Sequence, residues 1–375
     1  MGKKAAEKKE PARSDAVKKE KSRSVKKIVV LFGDPRLFDP VAPGGVWDAD
    51  DIETIDKLKQ ALAELEGYEF SYLDNHKTFI DDLRAIKDKT DLVFNLCDEG
   101  YYNDPRKEMH VAALLEILGL PYTGATPQSM AIRLDKAIVK GIARWLGVPT
   151  AQGMLIDVGQ GVRDLPEGLN FPVLVKPNNT DAGQGISRKS VCHNLTDIKM
   201  VVAELRQGLC KEMPILVEEF LPGKDLTTGV IGNPGFESLL SLPIAEEDYS
   251  MLSPELPRIC GWEAKWDPSS PYWQTRSIHA DLPKDVETTI VEGTKKMFKY
   301  TECRDYARFD WRLNAKGEPR LLDVNCNPGW CWDGHMAKLS SMVGISYPKM
   351  LERILAVAFE RTQHEKAIPT KLYQP

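Results

Sequence analysis

The chain has 375 residues, 42% of them hydrophobic and 28% charged, with a formal net charge of −5. That length exceeds one typical core and suits two or three domains. The composition is that of a water-soluble globular protein, and no apolar run approaches the length of a membrane span.

Met1 to Lys27 carries 11 Lys or Arg against 4 Asp or Glu, a balance of +7 that leaves −12 for the remainder. With almost nothing to bury, residues 1–27 read as a disordered basic tail. Glu7, Glu10, Asp15 and Glu20 argue against a transit peptide, there is no apolar signal core, and no nucleic-acid partner is expected. The 7 cysteines form no CxxC pair. They read as reduced thiols of a cytoplasmic protein rather than a disulfide framework or zinc site.

"KKIVVLFG" is a continuous apolar run ending in Gly, as in a buried parallel strand followed by a functional loop. Ile52, Ile55, Leu58, Leu62 and Leu65 then fall at helical spacing, before "YEFSYLD" and "TDLVFNLCDEG" read as further strands. Strands alternating with helices predict a doubly wound α/β domain over 28–126, with ligand loops at the carboxyl ends of its strands. The apolar helix in "MHVAALLEILGLPYTGATP" leads out of it.

A central unit follows over 127–230. "LDKAIVKGIARWLGVPT" reads as a helix with Lys136 near its start, and Trp145 as core. "FPVLVKPNNTDAGQGI" is a strand ending at Lys176, then a loop whose Asn178, Asn179, Gly183 and Gly185 let backbone amides approach an anion. It lacks the Walker spacing, and a hairpin with flexible glycines is the bland alternative. "MPILVEEFLPGKDLTTGVIG" reads as strand, turn and return strand. An adenine ring could take backbone hydrogen bonds along Glu218, Glu219, Phe220 and Leu221, and a ribose diol could be held by Asp225.

The remainder, 231–375, contains "RFDWRLNAKGEPRLLDVNCNPG". If Lys316 and Gly317 form a two-residue hairpin loop, Ala315 pairs with Glu318, Asp310 faces Asp323 and Arg308 faces Asn325. Phe309, Trp311, Leu313, Leu322 and Val324 then form the inward face. Like charges directly opposite are destabilising, so facing carboxylates are explained by a cation between them, and hard oxygen ligands suit Mg²⁺ or Mn²⁺. The bland alternative is a solvated face with Arg308 and Arg312 neutralising the acids. His279 and His335 are candidate substrate contacts, with surface histidines as the default reading.

The order of these parts resembles the ATP-grasp superfamily, most closely its D-alanine–D-alanine ligase branch, over nearly everything from Ile28 to about Arg361. "LVFNL", "LGLPYTG", "DKAIVK", "FPVLVKP", "EEFLPGKDLT", "EAKW" and "VGISYPKMLERIL" carry the resemblance. It implies an α/β (α+β) ATP-grasp fold with an N-terminal doubly wound pre-ATP-grasp domain, ATP and two Mg²⁺ ions. It further implies Lys136 and Lys176 on the ATP phosphates, Glu218 to Leu221 with Asp225 on the adenosine, and Lys265 at the transferred phosphoryl group. Asp310, Asp323 and Asn325 match the metal ligands, while Arg308 and the Gly329 amide match the groups that steady an oxyanion. The implied chemistry is phosphorylation of a carboxylate, then attack by an amine on the acyl phosphate. The segment Pro268 to Ser277 is similar to a loop that closes over the phosphates, and a homodimer, as in many relatives, is left open.

The chain also departs from that pattern. The loop after the first strand, "GDPRLFDPVAPGGVWDADDIE", is longer; Asp98 and Glu99 replace a His-Gly; Ala182 and Gly183 replace paired serines; Trp266 replaces a tyrosine; Asp323 shortens a glutamate; and "WCWDGHMAKL" follows "NPG". The nucleotide half is kept and the amino-acid half rewritten, which favours an acid and an amine other than two D-alanines and leaves D-alanyl-D-alanine synthesis open. A kinase on the same scaffold and a nucleotide-binding protein without turnover are the alternatives.

Overall fold

The computed structural model describes residues 25–40, 43–47, 49–180, 183–261, 263–264, 267 and 269–367. Strand β1 (Lys26–Leu31) is the centre of a three-stranded parallel sheet, flanked by β2 (Tyr68–Leu73) and β3 (Leu92–Asn95). Alternate residues of β1 serve opposite cores. Ile28 and Val30 meet Ile55, Leu58 and Leu62 of α1 (Ala49–Ala63). Val29 and Leu31 meet α2 (Phe79–Ile86) and α3 (Glu108–Leu118) through Leu83, Val111 and Leu115. Cover on both faces explains the unbroken apolar run. Ile52, counted in the α1 stripe, is instead 55% exposed.

After α4 (Pro127–Arg133) and α5 (Lys136–Trp145) comes a four-stranded antiparallel sheet, in the order β4-β7-β5-β6. Its strands are β4 (Gly153–Ile156), β5 (Val173–Pro177), β6 (Val191–Cys192) and β7 (Ile215–Glu219), and α6 (Leu195–Gln207) backs it with Ile198, Val201 and Leu205. A six-stranded sheet contains β8 (Asp225–Ile231), β9 (Leu240–Ser241), β10 (Ala245–Asp248), β11 (Arg276–His279), β12 (Tyr306–Leu313) and β13 (Pro319–Asn325). Helices α7 (Lys284–Tyr300), α8 (His335–Met342) and α9 (Tyr347–Ala367) complete the order. Among the described residues no helix is long and apolar enough to cross a membrane.

Two expectations fail here for physical reasons. Strands β7 and β8 are not a hairpin: β7 lies between β4 and β5, while β8 pairs with β12, so the turn Phe220 to Lys224 crosses from one sheet to the other. Trp145 is not core but 75% exposed at the end of α5, its ring edge-to-face with Tyr300.

The β12–β13 hairpin combines a correct and an incorrect expectation. Arg308 pairs with Asn325 and Asp310 with Asp323, as alternation predicts. At the tip, however, Asn314 donates its N–H to the Glu318 carbonyl across a three-residue loop that closes on Gly317, φ 79°. The register is therefore one residue off the predicted one, with Trp311 opposite Leu321, until a β-bulge after Asp310 restores it. The bulge puts Leu322 and Asp323 on the same side, so Leu321 enters the core at 1% exposure and Leu322, assigned inward by strict alternation, lines a cavity instead. Leu321→Ala is expected to cost about 2–4 kcal/mol and Leu322→Ala under about 1 kcal/mol, read by urea unfolding. Equal losses would contradict the bulged register.

Candidate active site

The cavity opens at the seam of the two antiparallel sheets. Its wall includes Lys136, Lys176, Asp225, Arg308, Asp310, Asp323 and Asn325, so the structure brings together most of the residues singled out from the sequence.

Lys136 owes its place to a capped helix start. The Asp135 side chain accepts from the Ile138 N–H at 3.0 Å, a cap of the kind worth about 1 kcal/mol. Asn178, two residues beyond Lys176, accepts from the Ala137 N–H through its side chain at 3.0 Å and from the Lys136 N–H through its carbonyl at 3.3 Å. The loop after β5 is thus stitched to the start of α5. A lysine at a helix N-terminus opposes the helix dipole, and both fields favour an anion in front of them. Nζ of Lys136 meets the Thr180 carbonyl at 2.8 Å and Asp323 Oδ2 at 3.0 Å.

Lys176 lies on the same wall, 2.5 Å from Glu218 Oε1, and Lys140 approaches Glu218 Oε2 at 2.9 Å. All three are at least 94% buried. Burial alone pushes the Glu218 carboxyl up, but the lysine charges overcome it and hold the group at about 2. Glu218 therefore fixes Lys176 with its side chain. Along the same turn the Glu219 N–H is taken by the Gln152 carbonyl and the Phe220 N–H by the Pro172 carbonyl. The Leu221 carbonyl accepts from Arg312 Nε at 2.6 Å. Nη1 of Arg312 reaches Asp225 at 3.1 Å, where the Tyr249 hydroxyl also donates at 2.9 Å, and Nη2 donates to the Arg258 carbonyl. One guanidinium thereby joins the β7–β8 turn, Asp225 and the segment over the cavity. Burial raises the Asp225 carboxyl, and Arg312 opposes the shift.

Facing these cations are Asp310, Asp323 and Asn325. Arg308 grips Asp310 with Nε and Nη2, both at 3.0 Å, Thr227 donates to Oδ1 at 2.9 Å, and Asn325 Nδ2 donates to Oδ2 at 3.0 Å. Burial acts upward on this carboxyl, but the Arg308 charge prevails and sets it at about 2. Asp310 is ionised throughout the working pH range. Arg308 pairs with Asp310 and Lys136 with Asp323, while Arg312 pairs with Asp225 instead of a hairpin acid, contrary to the bland expectation. Among the described residues no three His, Cys, Asp or Glu side chains form a ready metal cage. Two carboxylates and an amide are an all-oxygen set that fits a Mg²⁺ ion sharing its shell with phosphates and water.

Gly329 lies on the side of the first sheet: a Cβ placed there would stand 3.8 Å from Asp98 Oδ2. Asp98 Oδ1 accepts from the Trp330 indole at 3.0 Å, and the Gly33 N–H donates to Glu99 Oε2 at 3.0 Å. The rewritten loops after β1 and β3 and the segment after "NPG" thus meet in one place. Burial raises Asp98 to about 6 and Glu99 well above its usual range.

Lys265, Trp266 and Ala182 lie outside the described residues, as do residues 1–24. Part of the expected covering segment is folded: Tyr272 is buried with Tyr249, Leu252 and Ile259 and donates to the Pro257 carbonyl at 2.7 Å. The sequence reading missed Thr227, Glu247, Arg312 and Cys260 of the wall, and took His335 for a surface residue where it lines the cavity. Thr227 had a signal, two residues after Asp225 on one strand face; Glu247 had none.

The family described as D-ala D-ala ligase C-terminus matches residues 145–356. An uncharacterized protein of Sinorhizobium fredii is 32% identical over 271 residues, which are 72% of this chain and 75% of that protein. The D-alanine–D-alanine ligase of Lactobacillus helveticus is 27% identical over 264 residues, 68% of this chain and 69% of that enzyme. Among solved structures, D-alanine–D-alanine ligase from Bacillus anthracis complexed with ATP superposes with a TM-score of 0.65 over 91% of this chain and 99% of its own, at 21% identity, a likeness of fold.

Proposed function

Because the chain belongs to the D-alanine–D-alanine ligase family, ATP-dependent carboxylate–amine ligases of the ATP-grasp fold, we propose that it joins an acid and an amine other than two D-alanines through an acyl phosphate. The observation that supports this reading is the single cavity in which Lys136 and Lys176 from one side face Arg308, Asp310, Asp323 and Asn325 from the other. The ATP phosphates lie between them in this reading. Asp310, Asp323 and Asn325 would hold Mg²⁺, which supplies charge neutralisation on the transferred phosphoryl group. Lys136 and Lys176 orient the phosphates, the β7–β8 turn and Asp225 take the nucleoside, and Lys265 is assigned to the transferred phosphoryl group. Arg308, with the Gly329 amide, steadies the negative oxygen that develops as the amine attacks. The covering segment excludes water, which would otherwise hydrolyse the acyl phosphate. ADP and phosphate are the accompanying products, and the setting proposed is the cytoplasm.

The altered surroundings of Gly33, Asp98, Glu99 and Trp330 support a change of substrates rather than loss of turnover, since Lys136, Lys176, Arg308, Asp310, Asp323 and Asn325 still share one cavity wall. The test is ADP release with Mg²⁺-ATP across free amino acids of both chiralities and dipeptides, with product mass recorded. An amide product names the substrates. A stable phosphorylated product formed without an amine would instead make the protein a kinase, and ATP binding with no turnover on any pair would count against the ligase reading. Arg312→Lys keeps the charge and loses the fork, so the KM for ATP is expected to rise about tenfold with kcat little changed, in steady-state kinetics.

A further inference from the structure

We propose that His335 is the base that takes the proton from the attacking amine, oriented for it by Glu247; this rests on the ligase reading above. His335 opens α8 and lines the same cavity as Arg308, Asp310 and Asn325, with its side chain 27% exposed. Its Nε2 lies 2.9 Å from Glu247 Oε1 on β10. Glu247 is itself held, since the Ser277 hydroxyl of β11 donates to the same oxygen at 2.8 Å. Burial pushes the Glu247 carboxyl up, but its partners His335 and Ser277 and the nearby Lys338 keep it below the usual range. An ionised carboxylate there accepts the Nε2 proton, which leaves the lone pair on Nδ1. Among the described residues nothing bonds Nδ1. The arrangement is a base oriented by a third group, the geometry that general-base catalysis requires. The other charges around His335 are Asp310 and Arg308 on β12 and Lys338 on its own helix.

The step has a definite proton balance. An amine reaches the site as an ammonium and cannot attack until it loses one proton, which passes to Nδ1 and then to water. The nitrogen lone pair forms the C–N bond to the acyl carbon, the bond from that carbon to the phosphate oxygen breaks, and phosphate departs with that electron pair and the second nitrogen proton. Nothing is oxidised or reduced.

Hydroxylamine, largely unprotonated at neutral pH, separates this step from the formation of the acyl phosphate because it attacks without a base. Wild type and His335→Gln are each given Mg²⁺-ATP and every acid of the amino-acid and dipeptide panel, with hydroxylamine or with the panel amines, and hydroxamate, amide and ADP are read. For the variant, the expected result is hydroxamate at the wild-type rate and amide formation down by about 100-fold or more. The wild-type amide rate should climb with pH and the variant's should not. Glu247→Gln should reproduce the loss in part, and circular dichroism with ATP binding checks that both variants fold. Equal loss of hydroxamate and amide, an unchanged amide rate, or a rise only in the KM of the amine as pH rises would overturn the assignment, the last by making His335 a cationic contact for a carboxylate. Neither hydroxamate nor ADP from wild type on any acid would instead mean that the ligase reading itself has failed.

Discussion

Asp310→Asn is expected to lower kcat/KM by about 1,000-fold, the equivalent of several kcal/mol of charge stabilisation lost in the transition state. The substitution keeps the shape and an oxygen acceptor but removes the charge. In the wild type that charge is already present, because Arg308, Thr227 and Asn325 converge on a carboxyl held at about 2. Ionisation therefore costs nothing when a cation arrives. The loss should fall on ADP formation and on hydroxamate alike, since both depend on phosphoryl transfer, and it should come with weaker Mg²⁺ binding in calorimetry at saturating ATP. Activity within about tenfold of wild type would show that the facing carboxylates are a solvated pair held by Arg308, and the metal assignment would fall.

The second large effect is on stability. Glu218→Gln leaves the buried Lys140 and Lys176 without their counter-charge, and breaking a buried pair of this kind costs about 3–5 kcal/mol. Its sign with pH follows from the folded carboxyl titrating near 2, below the usual 4.5 of a glutamate. The stabilisation is complete above about 4.5 and fades as pH falls through 2. Denaturant melts of the two proteins should therefore differ most at neutral pH and converge between those limits. A gap that stays constant down to pH 2 would mean that the carboxylate is not the source. Lys176→Met should lose ATP affinity as well, because that lysine belongs both to the buried triad and to the cavity wall.

How much of this the sequence carries depends on the distance over which each feature is made. The Asp310–Asp323 pairing was legible because alternation and a nearby turn are local, even though the turn was counted one residue short and the bulge compensated. Lys136 was legible for the same reason, its Asp135 cap being adjacent. The placement of β8 was not. Its partner β12 begins about 75 residues later, and a Pro-Gly turn after β7 looks the same whether the chain returns or crosses to another sheet. Glu218 showed as an acid at a strand end, but its lysines come from α5 and β5, so its burial between them exists only in three dimensions. Glu247 and His335 likewise sit 88 positions apart and meet through the packing of α8 on the six-stranded sheet.

The bulge on β13 also has a bearing on how this chain tolerates change. Because the register slips and recovers between the tip and Asp323, the length of the 315–317 loop is mechanically independent of the alignment of the two acids. A residue gained or lost at the tip can be absorbed by erasing or enlarging the bulge, with the carboxylates still facing each other. Insertions and deletions there are thus open to drift, while the same event between Asp323 and Asn325 would put those two side chains on opposite faces of the sheet.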